Sequence, residues 1–201
     1  TRIESKPFGK TAAGESVDLF TFTRAGAPTV AITNLGGHIV SILAPGRDGK
    51  VANVTLGHAG FAGYVADTSY FGSIVGRYAN RIANARFVLD GNSVQLTANN
   101  GKHALHGGPD GFDRKLWQIT EIEDGAEPCV TLAYVSVDGE EGYPGRLDVR
   151  VTYRLTGPSE LSISFEARSD RPTIVNLTNH SFFNLEGVAS GAGELVGRQA
   201  R

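Results

Sequence analysis

Every second residue is apolar from Leu147 to Leu155, where Leu147, Val149, Val151, Tyr153 and Leu155 alternate with Asp148, Arg150, Thr152 and Arg154. A period of two belongs to a strand with one buried and one wetted face, and nine residues of it leave no room for a helical reading. Leu161, Ile163, Phe165 and Ala167 repeat the pattern against Ser162, Ser164, Glu166 and Arg168. The connection Thr156-Gly157-Pro158-Ser159-Glu160 has turn chemistry, so the two runs predict a β-hairpin. A second hairpin is expected where Phe87-Val88-Leu89 and Val94-Gln95-Leu96 flank Asp90-Gly91-Asn92, with Gly91 and Asn92 suited to the positive φ of a tight turn. Further β-rich runs lie at residues 29–34, 38–43, 117–122, 130–137 and 173–177, and no window sustains a long amphipathic helical period. The fold class read from this pattern is all-β, an antiparallel β-sandwich.

The chain has 201 residues, 40% of them hydrophobic. That is enough to bury a core, and all-β units of this size commonly stay undivided, so residues 1–201 are expected to form a single domain. Nineteen Lys and Arg against 21 Asp and Glu, with no concentrated basic run, argue against nucleic acid as a partner. The longest apolar runs fall short of a membrane span, and Thr1-Arg2-Ile3-Glu4-Ser5-Lys6 lacks the apolar stretch of a signal peptide. Cys129 is the only cysteine, which excludes an internal disulfide and fits a reducing, cytoplasmic setting. A first residue other than Met is equally compatible with a removed leader. Residues 187–193, rich in Gly, Ala and Ser, and the weakly patterned 194–201 read as a frayed or cut tail.

Two histidines sit in polar settings that a packed core does not favour: Leu105-His106-Gly107-Gly108 and Thr178-Asn179-His180-Ser181-Phe182-Phe183-Asn184-Leu185. Histidine titrates nearest neutrality, so two converging on one pocket can bind, orient and protonate a neutral polar substrate near pH 7. The glycines after His106 admit close approach of another backbone or of a ligand. His103 and His106 invite a metal reading. Positions three apart in a strand face opposite ways, however, and no third ligand accompanies them, so no metal site is expected. Gly76-Arg77-Tyr78-Ala79-Asn80-Arg81-Ile82 supplies two arginines and an amide with fixed-direction donors suited to sugar hydroxyls or a carboxylate. Asp138-Gly139-Glu140-Glu141-Gly142-Tyr143-Pro144-Gly145 reads as a rigid acidic loop that either covers a pocket or solvates a sheet corner. Taken one at a time, each block also has a plain structural reading: solvated arginines, a satisfied histidine, core phenylalanines.

In this order the blocks resemble the aldose 1-epimerase (galactose mutarotase) family over nearly the whole chain. The matching runs are 76–83, Leu105-His106-Gly107-Gly108, Gly111-Phe112-Asp113 with Trp117, residues 138–145, and Asn179-His180-Ser181-Phe182-Phe183-Asn184-Leu185. The resemblance implies a large antiparallel sandwich of the galactose mutarotase type with an open polar cleft and no metal or organic cofactor. It implies acid–base ring opening and reclosure of a free hexose, glucose or galactose. His180 would be the acid that protonates the ring oxygen, His106 the second catalytic histidine that also orients the sugar, and Asn80 and Arg81 hydroxyl-binding residues. The family's base is a glutamate from the C-terminal part of the domain, with no matching position here. The sandwich is therefore expected to be truncated at its C-terminus and completed by a C-terminal segment or a second chain. Glu141, Asp113 and Glu186 are the carboxylates nearest the matching blocks. Two alternatives stand beside this reading. One is a non-catalytic carbohydrate-binding sandwich, and the other an epimerase for hexose phosphates with Arg77 or Arg146 in a cationic subsite.

Overall fold

The computed structural model describes residues 2–188. An antiparallel five-stranded sheet runs in sequence order: β1 (Arg2–Lys10), β2 (Ser16–Thr23), β3 (Thr29–Thr33), β4 (Ile39–Pro45) and β5 (Val51–Asn53). After a five-residue helix, α1 (Phe61–Val65), come three short paired segments of chain. These are β6 (Ile74–Val75), β7 (Arg81–Ile82) and the β8 (Arg86–Leu89) to β9 (Asn92–Gln95) hairpin; β10 (Ala104–Leu105) then returns to pair with β7. The second large sheet is β11 (Gln118–Glu123), β12 (Cys129–Ser136), β13 (Leu147–Gly157) and β14 (Glu160–Ser169), again antiparallel and in order. Finally β15 (Thr178–Asn179) pairs back onto β6.

The strict alternation of residues 147–155 lies on β13, where Leu147, Val149, Val151, Tyr153 and Leu155 are all buried. They join Val130 and Leu132 of β12 and meet Phe20, Phe22, Val30, Ile32 and Ile39 from the first sheet, with Ile74, Phe112 and Trp117 filling the space between. Each such side chain contributes about 1.5–3 kcal/mol on full burial, so this inter-sheet layer is the main favourable term of the fold. The β13–β14 hairpin has the expected register, with Val151 opposite Phe165 and Tyr153 opposite Ile163. β14 is one of the two edge strands, and its inner residues are only half-buried. Leu161, Ile163 and Phe165 line an open cleft of about 480 Å³, faced by Val30, Ile39 and Ile42 from the first sheet.

Three local readings need correction. In the second hairpin the turn is Asp90-Gly91, with φ of 49° and 78°, and Asn92 already belongs to β9. That is the Asp-Gly pair of a type I′ turn, whose twist matches the flanking strands. Residues 173–177 are not a regular strand. Asn176 makes one parallel bridge to Tyr78, donating to Arg77 O (2.9 Å) and accepting from Ala79 N–H (2.8 Å), before pairing begins at Thr178. β1 and β2 were not foreseen. β1 is a mostly exposed edge strand without alternation, and β2 buries the adjacent pair Leu19 and Phe20, which blurs its period. Of the predicted tail, residues 189–201 lie outside the described residues.

Candidate active site

Two short ribbons deliver the two histidines. His106 follows β10, which is held by β7 through Leu105 opposite Arg81. His180 follows β15, which is held by β6 through Asn179 opposite Ile74. The imidazole centroids are 5.0 Å apart with the rings at 79°, an edge-to-face contact, so the histidines singled out in the sequence do converge. Asn80 and Arg81 are exposed beside His106, and Arg81 Nε donates to Asn100 Oδ1 at 3.1 Å.

His106 is fixed by a reciprocal pair of bonds. Asn80 N–H donates to its Nδ1 at 2.9 Å, and His106 N–H donates to Asn80 O at 3.0 Å. Both residues need left-handed backbone to do this, with φ of 68° at Asn80 and 54° at His106. Because Nδ1 is an acceptor, the proton of the neutral ring sits on Nε2 and makes that atom a donor. Burial, then the neighbouring His180 and Arg81, lower the His106 pKa to about 4, which keeps the ring neutral. His180 packs against Phe182 at 5.0 Å, and among the described residues its ring nitrogens take no hydrogen bond. Asn179 steadies the turn beneath it: Nδ2 donates to Gly72 O (2.7 Å), while Oδ1 accepts from Ser181 N–H (3.1 Å) and Oγ–H (2.6 Å). Phe182 and Phe183 are exposed and lie outside the core.

The glycines after His106 serve the protein's own packing. A Cβ on Gly107 would lie 1.8 Å from Gly76 O, and one on Gly108 would strike the Glu141 carboxylate. His103 belongs to a different turn, where its Nδ1 accepts from Asn84 N–H at 3.0 Å. Among the described residues no group of three or more His, Cys, Asp or Glu is placed to hold a metal ion.

Of the remaining charged candidates, Arg77 and Asp113 turn inward and Arg146 stays at the surface. Arg77 is only 2% exposed, and it donates from Nε to Ser136 Oγ (2.8 Å), from Nη1 to Pro144 O (3.1 Å) and from Nη2 to Ser136 O (3.0 Å) and Val137 O (2.8 Å). It pins the acidic loop, and Glu140 of that loop accepts from Tyr134 and Ser136 and pairs with Lys115 Nζ (3.1 Å). Arg146 pairs with Asp148 at 2.7 Å. Asp113 is buried with Oδ1 unpartnered, and burial pushes its pKa up to about 6 despite Arg114 nearby.

The sequence reading missed Tyr70, whose ring lies 4.7 Å from His106 and 5.8 Å from His180. Its segment, Asp67-Thr68-Ser69-Tyr70-Phe71-Gly72, carried a usable signal: a polar turn ending in two aromatics and a glycine.

A sequence model of the family described as aldose 1-epimerase matches residues 18–196. The chain belongs to the aldose 1-epimerase family. It is 40% identical to the aldose 1-epimerase of Escherichia coli K12 over 177 residues, covering 88% of this chain and 50% of that protein. It is 44% identical to rat galactose mutarotase over 179 residues, covering 89% and 51%. Among solved structures, galactose 1-epimerase from Lactobacillus acidophilus NCFM superposes with a TM-score of 0.82 at 27% identity, over 92% of this chain and 53% of that one. A GalM/aldose epimerase homologue from C. elegans gives 0.75 at 30% identity, over 83% and 50%. The all-β fold is thus the galactose mutarotase fold, and the chain spans about half the length of these relatives. No helix among the described residues is long and apolar enough to cross a membrane.

Proposed function

We propose that this chain is the histidine-bearing part of an isomerase that interconverts the α and β anomers of a free hexose, glucose or galactose. The observation that carries the reading is the contact of His106 and His180, one tied at Nδ1 and neutral, the other with an unengaged ring. In this reading Nε2–H of His106 donates to a sugar oxygen and orients the ring, with Asn80 and Arg81 holding hydroxyls at its side. His180 protonates the pyranose oxygen as a base takes the anomeric proton. The ring opens to the aldehyde, the first carbon–carbon bond rotates, and closure reverses both transfers. Each well-placed proton-transfer group contributes about 10²–10⁴ in rate.

The base is then a carboxylate from a further segment, C-terminal or on a second chain. Two observations support this. The neighbouring charges that bear on His106 come from His180 and Arg81, both cationic when charged. The open cleft under β14 is also lined by Thr178, Asn179, Ser181 and Phe183, the residues on either side of His180. A segment seated there and completing the single domain would run along the residues that flank His180. Free sugar is favoured over sugar phosphate because Arg77 is fully engaged and Arg146 is paired with Asp148.

Polarimetry of freshly dissolved α-D-glucose and α-D-galactose with the full-length protein tests the reading. Acceleration is expected for free sugar and is expected to be lost in His180→Ala. No acceleration over buffer sinks it, and saturable sugar binding without turnover would favour a binding module instead.

A further inference from the structure

Tyr70 occupies left-handed backbone, with φ = 59°, where a bulky side chain is an outlier. Such a conformation persists only when its surroundings over-determine it. Here they do. On the near side, Asp67 Oδ1 accepts from Ser69 N–H (2.9 Å) and Oδ2 from Phe71 N–H (3.0 Å), while Asp67 O accepts from Arg114 Nη2 (3.0 Å). On the far side, Phe71 O meets His38 Nδ1 at 2.7 Å, and Gly72 O accepts from Asn179 Nδ2 (2.7 Å) and Ile39 N–H (2.9 Å). The same frame carries His180: Gly72 N–H donates to His180 O (3.1 Å), and His180 N–H donates to Ser73 O (2.8 Å).

The strained residue therefore shares its backbone support with one imidazole and lays its ring on both. Tyr70 meets His106 edge-on at 4.7 Å and 70°, and His180 at 5.8 Å and 43°. With the 5.0 Å contact between the imidazoles, the three rings close a triangle. A pair of rings in contact can still rotate against each other, whereas a third ring touching both removes that freedom.

We propose that Tyr70 is a positioning residue for the two-histidine site, setting the angle between His106 and His180 and shielding His106 from water through its aromatic ring. This rests on the epimerase reading above. The charged groups that face the cluster are Arg81 and His180 beside His106, and Asp113, Arg114 and Asp67 beside Tyr70.

The test compares Tyr70→Gly and Tyr70→Phe in the full-length protein, by polarimetric kcat and by NMR titration of the His106 ring. Glycine adopts φ = 59° without strain, so Tyr70→Gly removes the ring while relieving the backbone, and thermal unfolding checks that it folds. Tyr70→Asn, which also tolerates left-handed backbone, is the second ring-less variant. Loss of the ring is expected to lower kcat about a hundredfold with a smaller change in KM, the scale of a misplaced reacting geometry. The pKa of His106 is expected to rise by more than about one unit as water reaches it. Phenylalanine is expected to restore both. Unchanged His106 titration and kcat in the ring-less variants overturn the proposal. So does a Tyr70→Phe variant as impaired as Tyr70→Gly, which would put the hydroxyl to work in place of the ring. If the wild type epimerises nothing, the functional reading falls by itself. The titration still decides whether Tyr70 governs the surroundings of His106.

Discussion

His38 and His106 look alike in sequence, one preceded by Gly36-Gly37 and the other followed by Gly107-Gly108, yet they do opposite work. His38 is 1% exposed and spends both ring nitrogens on the protein, Nδ1 on Phe71 O at 2.7 Å and Nε2 on Asp113 O at 3.1 Å. Its companion His58 is bound to Asp67 at 3.0 Å, through Nε2. Burial alone would raise the Asp67 pKa, but hydrogen bonds from Ser69, His58 and Phe71 outweigh it and hold the carboxylate below its usual range. His106 spends one nitrogen, and His180 spends none among the described residues. Chemistry is available where a ring nitrogen is left over, and glycine neighbours do not report that. The two pairs are also connected. The scaffold histidines hold the loop of residues 67–72, and that loop carries Tyr70 onto the site histidines.

The sharpest way to break this division is to truncate one histidine from each pair. On the proposed function, His180→Ala is expected to lower kcat by about 10²–10⁴ with little change in thermal stability, since a half-buried ring without hydrogen bonds of its own is lost. His38→Ala is expected to destabilise by about 3 kcal/mol, because the carbonyl that accepts from the neutral ring loses its donor and a cavity opens. The pH–rate profile of whatever His38→Ala protein remains folded should keep its shape. Should His38→Ala stay fully stable, or shift that profile as His180→Ala does, the distinction between scaffold and site fails.

Asp113 lies between the pairs: its carbonyl meets His38 and its carboxyl charge bears on Tyr70. Burial raises its folded pKa to about 6, above the unfolded value. The native state therefore binds the proton more tightly, and the stability this contributes is fully present below about pH 4 and lost as pH rises through about 6. Asp113→Asn removes that dependence. Unfolding free energies at pH 4 and pH 8 should show the variant gaining on the wild type by on the order of 2–3 kcal/mol at the higher pH. Equal differences at both pH values would mean that Asp113 stays charged in its buried position.

The sheets were legible where burial repeats locally. β13 shows its period because the side chains on its inner face are all enclosed and the outward ones meet water, so sequence and burial carry the same pattern. β1 was invisible because an edge strand with little burial needs no pattern, and residues 173–177 misled because an apolar run was enough to suggest a regular strand where the chain makes only the Asn176–Tyr78 bridge. At the site, His106, His180, Asn80 and Arg81 could be named from their motifs, and the structure gathers them. Arg77 shares their motif and is the clearest divergence: it points into the sandwich and holds the acidic loop. Tyr70 was hidden for a different reason. Its segment marks a turn in the sequence, but its role depends on a backbone conformation and on two ring contacts distant in sequence, which that turn pattern alone does not specify.

The smallest effect separates two histidines only three residues apart. His103 Nδ1 accepts from Asn84 N–H, where Asn84 sits at φ = 54° within the turn Ala83–Ala85, and His103 N–H and O close a local loop with Asn100 and Asn99. Its backbone bonds survive truncation, so His103→Ala removes one side-chain acceptor from a partly exposed turn. That costs about 1 kcal/mol by chemical denaturation. His106→Ala removes the Nε2–H donor and is expected to raise KM for the sugar, whereas His103→Ala should leave KM unchanged because its ring serves the 83–85 turn and leaves the cleft alone. A KM change in His103→Ala comparable to that in His106→Ala would place both histidines on one binding surface and undo the separation that the two turns impose.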